Sequence, residues 1–152
     1  MSFSKLTWGV KASFRSYVEA AAGSISVSDG ALRTEDGVFV LEALPGGNLV
    51  IAPDGSATGA TEFQGQITFE AHGGMLKATL NELRVEAGPD GLVLTALDAP
   101  MNQDRCAIAT LGPVEDLSEG VVKLRTQITF DGMYQIADNY PPGTELDPLL
   151  LS

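Results

Sequence analysis

The sequence predicts a mainly β protein: an antiparallel β-sandwich of about eight to ten strands, with an amphipathic helix at the N-terminal end and a short helix near the C-terminal end. Three observations predict it. After the first helix, apolar residues recur with period two through most of the chain. Five Asp-Gly pairs, at Asp29, Asp36, Asp54, Asp90 and Asp131, punctuate the apolar segments, and both residues tolerate the positive φ of tight turns. No crossover-length helix separates the strands, as a parallel sheet would require.

The first element is the opening run from Leu6 to Glu19. At 100° per residue, Leu6, Val10, Phe14 and Val18 form one helical stripe, with Ser13 and Tyr17 inside it and Lys11, Arg15 and Glu19 turned away. A hydroxyl and a phenol are thus expected where a core should be. They are either hydrogen-bonded packing residues or the lining of a pocket roofed by the helix.

The strands follow. Ile25 and Val27, then Val38 and Val40, then Phe63, Ile67 and Phe69, are the expected inward positions, and MLKATLNELRV, GLVLTAL, CAIATL and VVKLRTQITF extend the series. Asp131 is positioned to cap a short helix running through Asp138, with Met133, Ile136 and Tyr140 on one side, and Pro141 and Pro142 stop it. The tail GTELDPLLL is expected to pack back on the body, because three consecutive leucines are poor solvent-facing residues.

A length of 152 residues suits one domain over residues 1–152, large enough to bury a real core. Seventeen glycines, eight prolines and 44% hydrophobic residues describe a turn-rich globular chain rather than a disordered one. Nine basic against 20 acidic residues give a net charge of −11, which repels phosphate backbones and anionic lipid, so neither nucleic acid nor a membrane is an expected partner. Residues 1–22 hold no signal-peptide core and nothing downstream reaches the length of a membrane span, so the chain as written is expected in the cytoplasm. The single cysteine, Cys106, excludes an internal disulfide and reads as a strand residue.

His72 is the only histidine, and one histidine builds no zinc site; no H-E-x-x-H or C-x-x-C pattern supplies partners. Nor is there a G-x-S-x-G elbow, a G-x-x-x-x-G-K-[ST] phosphate loop or a G-x-G-x-x-G turn. By itself, a histidine beside two glycines is structural or exposed, and Ser13 is a helix serine bonding back to a carbonyl.

Three segments give these residues another meaning. LTWGVKASFRSYVE, FEAHGG around His72, and NYPPGTELDPL resemble, in order, the signature regions of the HtaA-type haem-binding domain of bacterial haem-uptake proteins, and together they span nearly the whole chain. The resemblance implies a non-catalytic protein for haem uptake, transport, storage or buffering, with haem and a haem donor or acceptor protein as its partners. It implies that Tyr17 is the axial ligand of ferric haem, that His72 orients it through a hydrogen bond, and that Ser13 contacts the haem. The chemistry is coherent, since ferric iron is a Lewis acid strong enough to stabilise a phenolate and an imidazole N–H tunes such a ligand. Phe14, Phe69, Met75, Met133 and Tyr140 flank the three segments and are the expected apolar walls.

Two other readings stand beside this one. A tyrosinate-ligated haem also serves peroxide chemistry in catalase, and haem breakdown is a related use, although committing the sole histidine to the ligand leaves no distal acid–base group. Alternatively, the chain is an interaction module that retains the sandwich and has lost haem binding. Related domains are generally exported or surface-attached, so export is expected if a longer precursor carries the leader that this sequence lacks.

Overall fold

The computed structural model describes residues 3–97, 105–118, 120–136 and 140–152. Their elements run, in chain order, β1 (Lys5–Trp8), α1 (Ala12–Ala20), β2 (Ser24–Ser28), β3 (Leu32–Arg33), β4 (Phe39–Glu42), β5 (Val50–Ile51), β6 (Ala57–Thr58), β7 (Ala60–Glu62), β8 (Gln66–Ala71), β9 (Leu76–Asn81), β10 (Arg84–Gly88), β11 (Gly91–Leu97), β12 (Arg105–Ser118), β13 (Val121–Ile128), α2 (Phe130–Gln135) and β14 (Glu145–Leu151). Among the described residues, ten strands have four or more residues, and β3, β5, β6 and β7 have only two or three. The short ones carry too few residues to show a period, which is why the expectation of eight to ten strands finds the long ones.

Among the described residues every strand pairing is antiparallel. Nine strands form one large curled sheet in the order β3-β4-β1-β14-β13-β12-β11-β10-β7, and β2-β8-β9 form a smaller sheet. The two sheets meet through the core, where the rings of Phe39 on β4 and Phe69 on β8 lie edge to face at 5.8 Å. Asp29, Asp36, Asp54 and Asp90 all fall in turns, with the following glycines at φ between 88° and 125°. Among the described residues, no helix is long and apolar enough to cross a membrane.

Three expectations need correction. The opening run is not helical from Leu6, because Lys5–Trp8 is a strand in which Leu6 and Trp8 are buried, and the helix begins only at Ala12. All four stripe residues are buried nonetheless, two on a strand or corner and two on the helix, so the period of four there was coincidental. On β4 the buried residues are Phe39 and Leu41, not Val38 and Val40. That run is apolar at every position, so alternation cannot choose its face. Finally, Asp131 lies inside α2 and the cap is Thr129, whose Oγ1 accepts from Gly132 N at 2.9 Å. The predicted helix end at Asp138 lies outside the described residues.

The tail becomes the middle of the large sheet. β14 pairs with β1 on one side and β13 on the other, burying Leu146, Leu149 and Leu151. Pro148 is tolerated there because the β13–β14 register shifts beside it.

Candidate functional site

The first chemical side chain stands on α1. Its N-cap position, Lys11, offers no side-chain cap, and the cap comes from far along the chain: Asp147 Oδ1 on β14 accepts from Ala12 N at 3.0 Å. Asp147 Oδ2 pairs with Arg15 Nη1 at 2.8 Å. At the other end, Gly23 N donates to Val18 O at 2.9 Å, and a Cβ on Gly23 would run into the carbonyls of Glu70 and Val18. The helix is therefore seated against β8 by a glycine and tied to β14 by an ion pair.

The second stands on the hairpin turn between β8 and β9. Ala71 pairs with Leu76, leaving His72–Met75 as the turn, and His72, Gly73 and Gly74 take φ of 54°, 67° and 97°. Two glycines reach this left-handed backbone without a Cβ penalty, while His72 pays about 1–2 kcal/mol for it.

The two meet. Tyr17 Oη lies 2.6 Å from His72 Nε2, with ring centroids 5.7 Å apart. In the Nδ1–H tautomer, Nε2 accepts the phenolic O–H; in the imidazolium it donates to the oxygen instead. Tyr17 is 48% exposed, so the phenol oxygen is held by one imidazole at an open surface. Ser13 is exposed one helical turn earlier. This corrects the expectation that both hydroxyls point into the core: they lie on the flank of α1 beside the buried stripe, and neither is a packing residue.

Below them is a rigid floor. Phe14 and Phe69 are 1% and 0% exposed with ring centroids 4.9 Å apart, so these two expected walls belong to the core beneath the site. Tyr140 is half-buried, edge-on to Phe14 at 6.2 Å, with the Lys11 ammonium 5.7 Å from its centroid. Met133 is half-buried on α2, and Met75 is 92% exposed at the end of the His72 turn. Lys11 Nζ also donates to Glu145 O at 2.7 Å. The Glu145 carboxyl is held below its ordinary range, mainly by its hydrogen bond to Arg125 and then by the charges of Arg125 and Lys11.

Among the described residues, no group of three or more His, Cys, Asp or Glu side chains could hold a metal ion. The arrangement instead offers a single oxygen donor with one orienting base, which suits a ligand that brings its own equatorial donors.

The profile of the HtaA family matches residues 4–152. The chain belongs to the HtaA family. Solved structures share the fold of this HtaA member. The N-terminal domain of HtaA from Corynebacterium glutamicum is 23% identical, with 99% of this chain and 97% of that one covered, at a TM-score of 0.75. The C-terminal domain of the same protein is 24% identical, covering 98% and 95%, at 0.72. The heme binding protein HtaB of C. glutamicum is 20% identical, covering 98% and 91%, at 0.67. No curated protein sequence matches the chain.

Asp147 and Arg15 went unrecognised in the sequence of this HtaA chain. Arg15 reads as a solvent-facing residue of the helix, and Asp147 as one charge in an apolar tail. In the fold, a Cβ on Gly9 would strike both side chains, a requirement that no local pattern shows.

Proposed function

We propose that the protein binds ferric haem and passes it on, with Tyr17 as the axial ligand and His72 as the base that orients it. The observation that carries this reading is the 2.6 Å contact between an exposed phenol oxygen and the only imidazole of the chain. Its family membership and the heme-binding description of HtaB support it.

Bound haem supplies a Lewis-acidic ferric iron, which favours a phenolate oxygen over the neutral phenol. The residues of the chain do the rest. An oxygen ligand in the phenolate form requires the phenolic proton of Tyr17 to pass to an acceptor. In its Nδ1–H tautomer His72 Nε2, 2.6 Å from the oxygen, would accept that proton, and the resulting imidazolium would return an N–H hydrogen bond to the phenolate oxygen and hold it in place. The hydroxyl of Ser13, on the same flank, bonds a haem carboxylate. Met75, exposed at the end of the His72 turn, and Tyr140, edge-on to Phe14, would supply apolar contact to the ligand together with Met133, and Phe14 and Phe69 form the floor beneath. An anionic oxygen ligand favours the oxidised iron, which suits capture and release more than reversible oxygen binding. With its one imidazole committed to Tyr17, the protein acts as a carrier for transport, storage or buffering, exchanging haem with a donor or acceptor protein, and not as an enzyme.

Titrating the protein with ferric haem tests this. The expected result is saturable uptake with a phenolate-to-iron charge-transfer band, which Tyr17→Phe abolishes while leaving the far-ultraviolet circular dichroism unchanged. A folded Tyr17→Phe protein with the wild-type haem spectrum, or a wild type that takes up no haem, overturns the proposal.

A further inference from the structure

The geometry points to Asp147 as the residue that positions Tyr17 against His72, by clamping the N-terminal end of α1 to the central strand β14; this rests on the reading of Tyr17 as the haem ligand. Every polar group of Asp147 is spent on the corner that launches α1. Its carbonyl accepts from Trp8 Nε1 at 2.7 Å, its N–H donates to Val10 O at 2.9 Å, Oδ1 caps Ala12 N at 3.0 Å and Oδ2 pairs with Arg15 at 2.8 Å. Arg15 Nη1 closes the loop by donating to Gly9 O at 2.6 Å. The ion pair is mostly shielded, with side-chain exposures of 13% and 27%, so it is screened less than a surface pair.

The corner needs such a clamp. Val10 sits at φ 62°, a left-handed conformation that a β-branched residue adopts only under constraint. Lys11 supplies no cap. Without Asp147 the first turn of α1 loses its cap and its ion pair together, while its last turn stays seated on β8 through Gly23. The N-terminal end is then held by the packing of Phe14 on Phe69 and by Lys11 on Glu145 O, without the cap and the ion pair, and the helix can pivot slightly about its Gly23 end.

The pivot matters because the two halves of the site have different supports. His72 belongs to the β8–β9 turn of the small sheet, whereas Tyr17 rides on a helix whose N-terminal end is set by the large one. Their contact is 2.6 Å, and a displacement of about 1 Å takes it beyond hydrogen-bonding range.

The test uses Asp147→Ala and Asp147→Asn in the full chain, first without haem. The His72 ring 15N shifts, read by NMR, report its hydrogen bond to Tyr17. The expected result is a cooperatively melting Ala protein in which that signature is lost, with Asn intermediate because its amide oxygen still accepts from Ala12 N. Ferric haem is then expected to bind 10–100-fold more weakly, the scale for groups that orient a ligand, with a weakened phenolate band. Wild-type 15N shifts in the Ala protein overturn the proposal. If the Ala protein does not fold, Asn decides: wild-type shifts, or failure to fold, make Asp147 a stability residue and not a positioning one. A wild type that shows the Tyr17–His72 hydrogen bond but binds no haem overturns the proposed function and leaves the clamp to be judged by NMR.

Discussion

At the scale of the residue, the site divides its work between a donor and its support, and mutants separate the two. His72→Ala removes the acceptor of the phenolic proton but leaves the oxygen of Tyr17, so haem is expected to remain bound, 10–100-fold more weakly and with a shifted spectrum. Equilibrium titration followed in the visible region checks this, and unaltered affinity would separate His72 from the ligand. Ser13 is exposed, so its hydroxyl contributes little to the folded state without haem. Ser13→Ala is expected to change apo stability by less than about 0.5 kcal/mol and to speed haem loss by the worth of one charge-assisted hydrogen bond, about 1.5–3 kcal/mol. Haem transfer to an excess of apo scavenger measures it; equal rates remove Ser13 from the site.

At the scale of the element, both helices owe their starts to partners that local sequence does not reveal in full. α2 begins on Thr129, whose Oγ1 donates to Ala107 O at 2.6 Å and accepts from Gly132 N at 2.9 Å. Thr129→Ala strips the cap and leaves the Ala107 carbonyl without that donor, so a loss of about 1 kcal/mol is expected. Denaturant unfolding checks it, and a midpoint equal to wild type would mean that packing alone holds α2. Asp131, the expected cap, sits too late: Thr129 N donates to Ile108 O at 3.0 Å, which fixes the start of α2 against β12, and a Cβ on Gly132 would strike the same carbonyl.

At the scale of the whole molecule, the last strand is the keystone of the large sheet. β14 joins the β3-β4-β1 side of the sheet to β13 and the strands beyond it, so without it the large sheet is split in two. Leu149 is fully buried there; Leu149→Ala is expected to cost about 2–5 kcal/mol while unfolding stays a single transition. Urea melts followed through Trp8, whose Nε1 is bonded to the same strand, test this. A cost below about 1 kcal/mol would mean that β14 is peripheral.

Much of this architecture was legible in the chain because period two and Asp-Gly turns are local signals: a strand such as Gln66–Ala71 shows its buried face in its own residues, Ile67 and Phe69. The resemblance of three segments to one family singled out Tyr17 and His72, and the structure brings them within 2.6 Å. What the tertiary structure alone decided are the matters settled between residues far apart. Leu6 fits the helical stripe as well as a strand, and the pairing of Lys5–Trp8 with β4 and β14 selected the strand. Arg15 and Asp147 are separated by 132 residues, and no local period links them. The same holds for the outward turn of Ser13 and Tyr17, since a helix shows which residues share a face, whereas which face meets the core is set by the sheets that it packs against.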